Sequence, residues 1–219
     1  MIDLHTHSVF SDGELLPSEL VRRAFVKGYK VIGISDHVDS SNLESTVGAM
    51  MKLRDVAESY AHIIVLPGVE ITHVPRRMIR ELTAKARKLG AMYVVVHGET
   101  IVEPVEEGTN REAILAGVDI LAHPGLISEE DVVLAREKGV FLEITARKGH
   151  SLSNGHVAKL AMSIGAPLIY NTDSHSPSDL TPEDEAKRIV RGAGLSTDDF
   201  SSMQRNALSI VKRAVEAVA

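Results

Sequence analysis

Cysteine is absent from the 219 residues, which rules out disulfide bonds and any metal site built on thiolates. A reducing compartment, the cytoplasm, is the natural expectation for such a chain. Aromatic residues make up only 4%, and none interleaves with the basic helical stretches as stacking on nucleic-acid bases would require. Positive charge is not in excess either. The formal net charge of −6 argues against broad electrostatic attachment to nucleic acid, while leaving room for a local cationic pocket. No window approaches 18 uninterrupted apolar residues, so no membrane span is expected. The N-terminus lacks the basic-then-apolar pattern of a secretory signal.

What is present is alternation. Short β-branched runs at 2–5, 31–37, 63–71, 91–97, 119–123, 140–145 and 167–173 are separated by amphipathic segments such as 17–27, 42–61, 74–89, 128–138 and 154–164. Gly28, Gly90, Gly139 and Gly165 stand where helix C-termini turn into the next strand. Strands of such continuous apolar character suit a parallel sheet covered on both faces. Seven β-α units without a long polar linker predict one barrel-like or doubly wound α/β domain over 1–219. Beyond about residue 176 the pattern is a helical tail, with segments near 182–191 and 197–218.

The polar residues that interrupt this pattern share a position. His5 and His7 end the first strand, Asp36 and His37 the second, Glu70 the third, His97 the fourth and His123 the fifth. Glu143 ends the sixth, and Asp173 and His175 end the seventh. In a (β/α) barrel the C-terminal strand ends form the face on which chemistry is built, so these side chains converge. Residues i and i+2 of a strand share a face, which pairs His5 with His7 and Asp173 with His175. Imidazoles and carboxylates without thiolate suit Zn²⁺, Mn²⁺ or Fe²⁺. Six histidines and three carboxylates exceed what one ion uses, so two or three ions with a bridging carboxylate are expected. Three divalent ions bring about +6 and three carboxylates remove about 3 of it, which leaves an anion trap suited to a phosphate ester.

The ordered series HTHSVFSDG, SDH, GVE, VVHGE, AHP and NTDSH, from residue 2 to about 176, resembles the PHP (polymerase and histidinol phosphatase) family of metal-dependent phosphoesterases. The resemblance implies a distorted (β/α)7 barrel of the TIM type followed by the helical tail. It implies one metal on His5, His7, Glu70 and Asp173, and a second on Glu70, His97 and His123. A third would sit on Asp12, His37 and His175. All nine positions are filled, which tells against a degenerate or purely RNA-binding scaffold. The implied activity is hydrolysis of a small phosphomonoester, histidinol phosphate or a similar metabolite or nucleotide, through a metal-bridging hydroxide. Asp173, His175, Glu70 and Arg147 carry the catalysis in that reading. Arg147, then Lys148, with His150 as a further candidate, would bind the phosphate. A nuclease or phosphodiesterase of the same family, or an amidohydrolase acting on an amide or ring, are the alternatives. Nucleic acid enters only as a short substrate, and no membrane partner is expected.

Other polar residues have plainer readings. Asp36 is expected to orient a histidine. Glu143 is either ligand-orienting or a polar strand end, and Glu99 is similar. His62 and His73 read as surface residues, and His156 as part of the first turn of a helix.

Overall fold

The computed structural model describes residues 1–55 and 62–216. The strands are β1 (Ile2–Asp3), β2 (Val31–Ile34), β3 (His37–Val38), β4 (Ile64–Pro67), β5 (Val69–Ile71), β6 (Val94–His97), β7 (Ile120–Ala122), β8 (Phe141–Thr145) and β9 (Leu168–Asn171). The helices are α1 (Pro17–Val26), α2 (Leu43–Asp55), α3 (Ile79–Leu89), α4 (Thr109–Ala116), α5 (Glu129–Lys138), α6 (Asn154–Ile164), α7 (Glu183–Gly192) and α8 (Thr197–Glu216). Every strand pairing is parallel, in the orders β1-β2-β4 and β3-β5-β6-β7-β8-β9.

These pieces compose seven strands. The expected 31–37 and 63–71 strands are each broken in two, at Ser35–Asp36 and at Gly68. Pairing still runs across both breaks, because the Gly68 N–H donates to Ile34 C=O at 2.8 Å and the Glu70 N–H to Asp36 C=O at 3.1 Å. Gly68 is where the buried Tyr93 ring presses on the chain; a Cβ there would lie 2.4 Å from the ring carbons. A parallel bridge between Thr6 and Ser174 links the first strand to the last, supported by the His7 N–H to Ser174 C=O bond of 2.8 Å. The architecture is thus a distorted (β/α)7 barrel with a helical tail.

Local sequence explains the helices. Ser128 caps α5 by accepting the Asp131 N–H at 3.1 Å, and Gly90 ends α3 with φ of 111°, a conformation that favours glycine. Pro75 is followed by a 3-10 turn over Arg76–Met78, so α3 begins five residues later than the 74–89 pattern suggests. α4, bracketed by Gly108 and Gly117, is too short to show helical periodicity. The 42–61 and 197–218 segments run past the described residues, which end at Asp55 and Glu216 on those helices.

The tail closes the barrel's N-terminal end. α8 buries Phe200, Met203, Ala207, Ile210, Val211 and Ala214 at helical spacing. Its C-terminal half shares one core cluster with Ile2, Leu4, Val95, Ile120, Phe141 and Ile169. Each larger side chain on that face contributes roughly 1.5–3 kcal/mol by burial. Gln204 fixes the register by accepting the Ile2 N–H at 2.7 Å and donating to its C=O at 3.1 Å. No helix among the described residues is long and apolar enough to cross a membrane.

Candidate metal centre

At the opposite end, the strand termini deliver their polar side chains around Glu70. One oxygen of this carboxylate lies 3.1 Å from His5 Nε2, 3.5 Å from His7 Nε2 and 2.9 Å from His37 Nδ1. The other lies 3.8 Å from His123 Nε2. Asp173 faces the same nitrogens, 3.6 Å from His5, 3.2 Å from His7 and 3.6 Å from His123. Asp12, from the loop after β1, is 3.4 Å from His37 Nε2 and 3.2 Å from His175 Nε2. Residues from both ends of the sequence therefore meet within one small volume. His123 and Asp173 reach it with backbone φ of 26° and 53°, a left-handed conformation that costs roughly 1–2 kcal/mol in a non-glycine residue.

The imidazoles are aimed by their outer nitrogens. His5 Nδ1 is 2.8 Å from Glu143, His37 Nδ1 2.6 Å from Thr72 Oγ1, and His175 Nδ1 3.0 Å from the Asp173 carbonyl. This leaves His5 Nε2 facing Glu70 and the Nε2 of His37 and His175 facing Asp12, with His37 Nδ1 shared between Thr72 and Glu70. An outer acceptor of this kind can set the orientation of a ligating histidine. His97 and His150 follow the same rule through Gly98 C=O at 3.2 Å and Thr100 Oγ1 at 2.7 Å.

Inside, hydrogen bonding runs out. His5 Nε2, both nitrogens of His7, both oxygens of Glu70 and His123 Nδ1 are buried without a hydrogen-bond partner. Buried polar atoms in native proteins are nearly always satisfied, so this donor set fits divalent cations. Among the described residues, five groupings bring ligand atoms within reach of one ion: His7, Asp12, His37 and His175; His5, His7 and Glu70; His5, His123 and Asp173; His97, His123 and His150; and, further out, His73, His97 and Glu103.

Proton affinities reflect the same crowding. Burial opposes ionisation of Glu70, yet the charges of His5 and His37 hold it well below the usual carboxylate range. Burial likewise works against protonated His37, but Glu70 and Asp12 raise it to about 10. Asp173 is pushed up to about 7 by burial and by the charge of Glu70, against the pull of His5. His7 and His123 are driven down, first by burial and then by neighbouring imidazoles. A bound cation would take over the part that these protons play.

Several sequence expectations are refined or corrected. Glu143 is more than a polar strand end: besides its contact with His5 Nδ1 it accepts the His123 N–H at 3.0 Å and an Asn171 amide N–H at 2.8 Å. Asp36 orients no histidine. It accepts bonds from the Ser8 N–H, Ser8 Oγ and Ser11 Oγ at 2.7, 2.7 and 2.6 Å, and so anchors the loop that carries Asp12. Glu99 turns away to cap α4, accepting the N–H groups of Gly108 and Asn110. His150 is buried and stacks on His123 at 4.2 Å. Arg147 is tied to Asp179 at 3.3 Å, and Asp179 also accepts the His175 N–H, which sets Arg147 at the rim beside His175. Lys148 is exposed. His62 is exposed, and His156 stands in the first turn of α6 as expected. Glu103, which sequence reasoning missed, lies 3.1 Å from His97 and 3.0 Å from His73; its place in an irregular loop left no periodic signal.

A model of the PHP domain matches residues 3–147. The chain belongs to the PHP family. An uncharacterized protein of Methanocaldococcus jannaschii is 47% identical over 202 residues, covering 91% of this chain and 93% of that protein. A probable phosphatase of Thermoanaerobacter sp. is 26% identical over 218 residues, covering 90% and 88%. Among solved structures, histidinol phosphate phosphatase of Lactococcus lactis, complexed with zinc, L-histidinol and phosphate, superposes with a TM-score of 0.61 at 20% identity. The match covers 89% of this chain and 94% of that one. A chain of archaeal ribonuclease P with mature tRNA gives a TM-score of 0.74 at 18% identity, covering 98% and 91%. Both are likenesses of fold.

Proposed function

We propose that this PHP-family hydrolase removes phosphate from a small phosphomonoester, using two or three divalent ions of zinc, manganese or iron. The observation that carries the reading is Glu70: its carboxylate lies within 3.8 Å of four histidines from three strand ends, and neither oxygen has a hydrogen-bond partner. In this reading Glu70 bridges two positions. The first is completed by His5, His7 and Asp173, and the second by His97 and His123. Asp12, His37 and His175 hold the third.

Ions held at these positions would supply Lewis acidity toward a phosphoryl group and activation of water near neutral pH. The protein's own part is orientation. Glu143, Thr72 and the Asp173 carbonyl fix the imidazoles, and the Ser8–Asp36–Ser11 bonds fix the Asp12 loop. Arg147, beside His175, binds the equatorial phosphoryl oxygens, with Lys148 further out at the solvent edge. The names of the Thermoanaerobacter and Lactococcus proteins support a phosphatase and make histidinol phosphate the first candidate substrate, ahead of nucleotides.

The test is phosphate release by metal-stripped protein from histidinol phosphate, nucleotides and an aryl phosphate, with Mn²⁺, Zn²⁺ or Fe²⁺ added back separately. Metal-dependent release lost in Asp173→Ala supports the reading and ranks the substrates. Failure of the whole panel, with ions bound, overturns the phosphomonoesterase assignment.

A further inference from the structure

His73 is a surface residue, as expected, but its backbone is unusual. Among the described residues, the non-glycine positions with positive φ are His73, His123 and Asp173. Two of the three belong to the metal centre. Strain of this kind persists where surrounding structure enforces it, and it gathers at functional positions. His73, at φ 51°, spends it on placing Nε2 3.0 Å from Glu103 Oε2. The same oxygen lies 3.1 Å from His97 Nε2, so the three residues offer ligand atoms to a single ion.

This outer group shares His97 with the inner one, and Glu103 Oε1 also lies 3.4 Å from His150 Nε2. His97 also belongs with His123 and His150, its ring 4.4 Å from that of His123. Exposure falls steeply along the line: 41% for the His73 side chain and 38% for Glu103, against 4% for His97, 6% for His150 and 2% for His123. His97 Nδ1 is turned to the Gly98 carbonyl, which leaves Nε2 to serve both groups. One lone pair binds one ion at a time. An ion at the outer position and an ion at the inner position therefore cannot both take His97 Nε2.

We propose that His73, Glu103 and His97 form a landing position for a divalent cation, from which the ion passes to the buried position at His97, His123 and His150. The chemistry of the landing position, two imidazoles and a carboxylate, suits the same zinc, manganese or iron ions as the interior. The carboxylate at the solvent edge supplies the negative charge that draws a cation in. The inference rests on the metal-centre reading above and is tested without substrate.

Metal-stripped protein is mixed with Co²⁺ in a stopped-flow instrument, and loading is followed by the visible absorption of coordinated cobalt. Bound equivalents are then counted by elemental analysis. His73→Ala and Glu103→Gln should each slow loading by on the order of tenfold, the scale of losing one metal-binding partner, with the final count unchanged. Glu107→Gln, the same charge loss on the same exposed loop, should load like wild type. His123→Ala should lose bound metal at equilibrium. Equal loading rates in wild type, His73→Ala and Glu103→Gln would overturn the landing position and leave the metal centre standing. So would a lost equivalent in Glu103→Gln, which would make Glu103 a resident ligand, or equal slowing in Glu107→Gln, which would reduce the effect to charge. No cobalt uptake by wild type would overturn both readings.

Discussion

Glu143 holds two of the site's histidines at once: one oxygen lies 2.8 Å from His5 Nδ1, and the other accepts the His123 backbone N–H at 3.0 Å. Neither contact reaches the interior of the cluster, yet each fixes the direction of a ring that does. Glu143→Gln keeps the shape and presents an amide where His5 or His123 needs an acceptor. Cation affinity should fall by about 10–100-fold, as for loss of an outer-shell carboxylate, with the thermal melt of the loaded protein lowered and that of the metal-free protein little changed. Chelator competition measures it. An unaltered affinity would reduce Glu143 to a buried polar strand residue.

Asp173 and His5 face each other across the first position, 3.6 Å apart. In the proposed function Asp173→Ala and His5→Ala remove different ligands from the same ion, so both should lower turnover on the order of 10³-fold or more, since the ions would supply most of the rate. Circular dichroism should show the barrel retained. A variant that kept near-normal phosphate release would remove that residue from the centre.

How much of this could be read from the chain depends on periodicity. His5 with His7 and Asp173 with His175 were legible because strand geometry alternates, and a parallel barrel sends every strand end to one face. Glycine C-caps such as Gly90 and Gly139 were legible because the required φ is local. Asp36 was misread because its direction is set by Ser8 and Ser11 across the loop, a contact separated by 28 and 25 residues. The breaks at Ser35–Asp36 and Gly68 were invisible too; at Gly68 the cause is the Tyr93 ring, which belongs to another part of the chain. Glu103 and His150 lie in irregular segments, where only the folded neighbours decide what they face.

Arg147 donates to Asp179, which also accepts the N–H groups of His175 and Ser176. Arg147→Met keeps the apolar stem and removes the charge, while the backbone bonds still hold Asp179. A lost hydrogen bond to a charged phosphoryl group is worth about 1.5–3 kcal/mol, so KM for phosphate esters should rise about 10–100-fold with kcat less affected. Steady-state kinetics on the best substrate decide it, and an unchanged KM would take Arg147 out of the phosphate site.

Asp3 lies buried beneath the centre, accepting bonds from the Thr172 hydroxyl and from the His5 and Thr172 N–H groups. Burial pushes its pKa up to about 6 from 3.8, against those hydrogen bonds. The folded protein thus holds this proton more tightly than the unfolded chain does. Its contribution is fully present below pH 3.8 and is lost as pH rises through 6, a change of roughly 3 kcal/mol. His150 runs the other way: burial lowers it to about 4 from 6.5, so its contribution is lost as pH falls between those values. Comparing metal-free wild type with Asp3→Asn cancels the His150 effect and isolates Asp3. Denaturant midpoints from pH 4 to 7.5 should show the variant gaining on wild type as pH rises, by about 2–3 kcal/mol across the range. A constant difference would mean that Asp3 titrates as an ordinary carboxyl and that its three donors offset its burial.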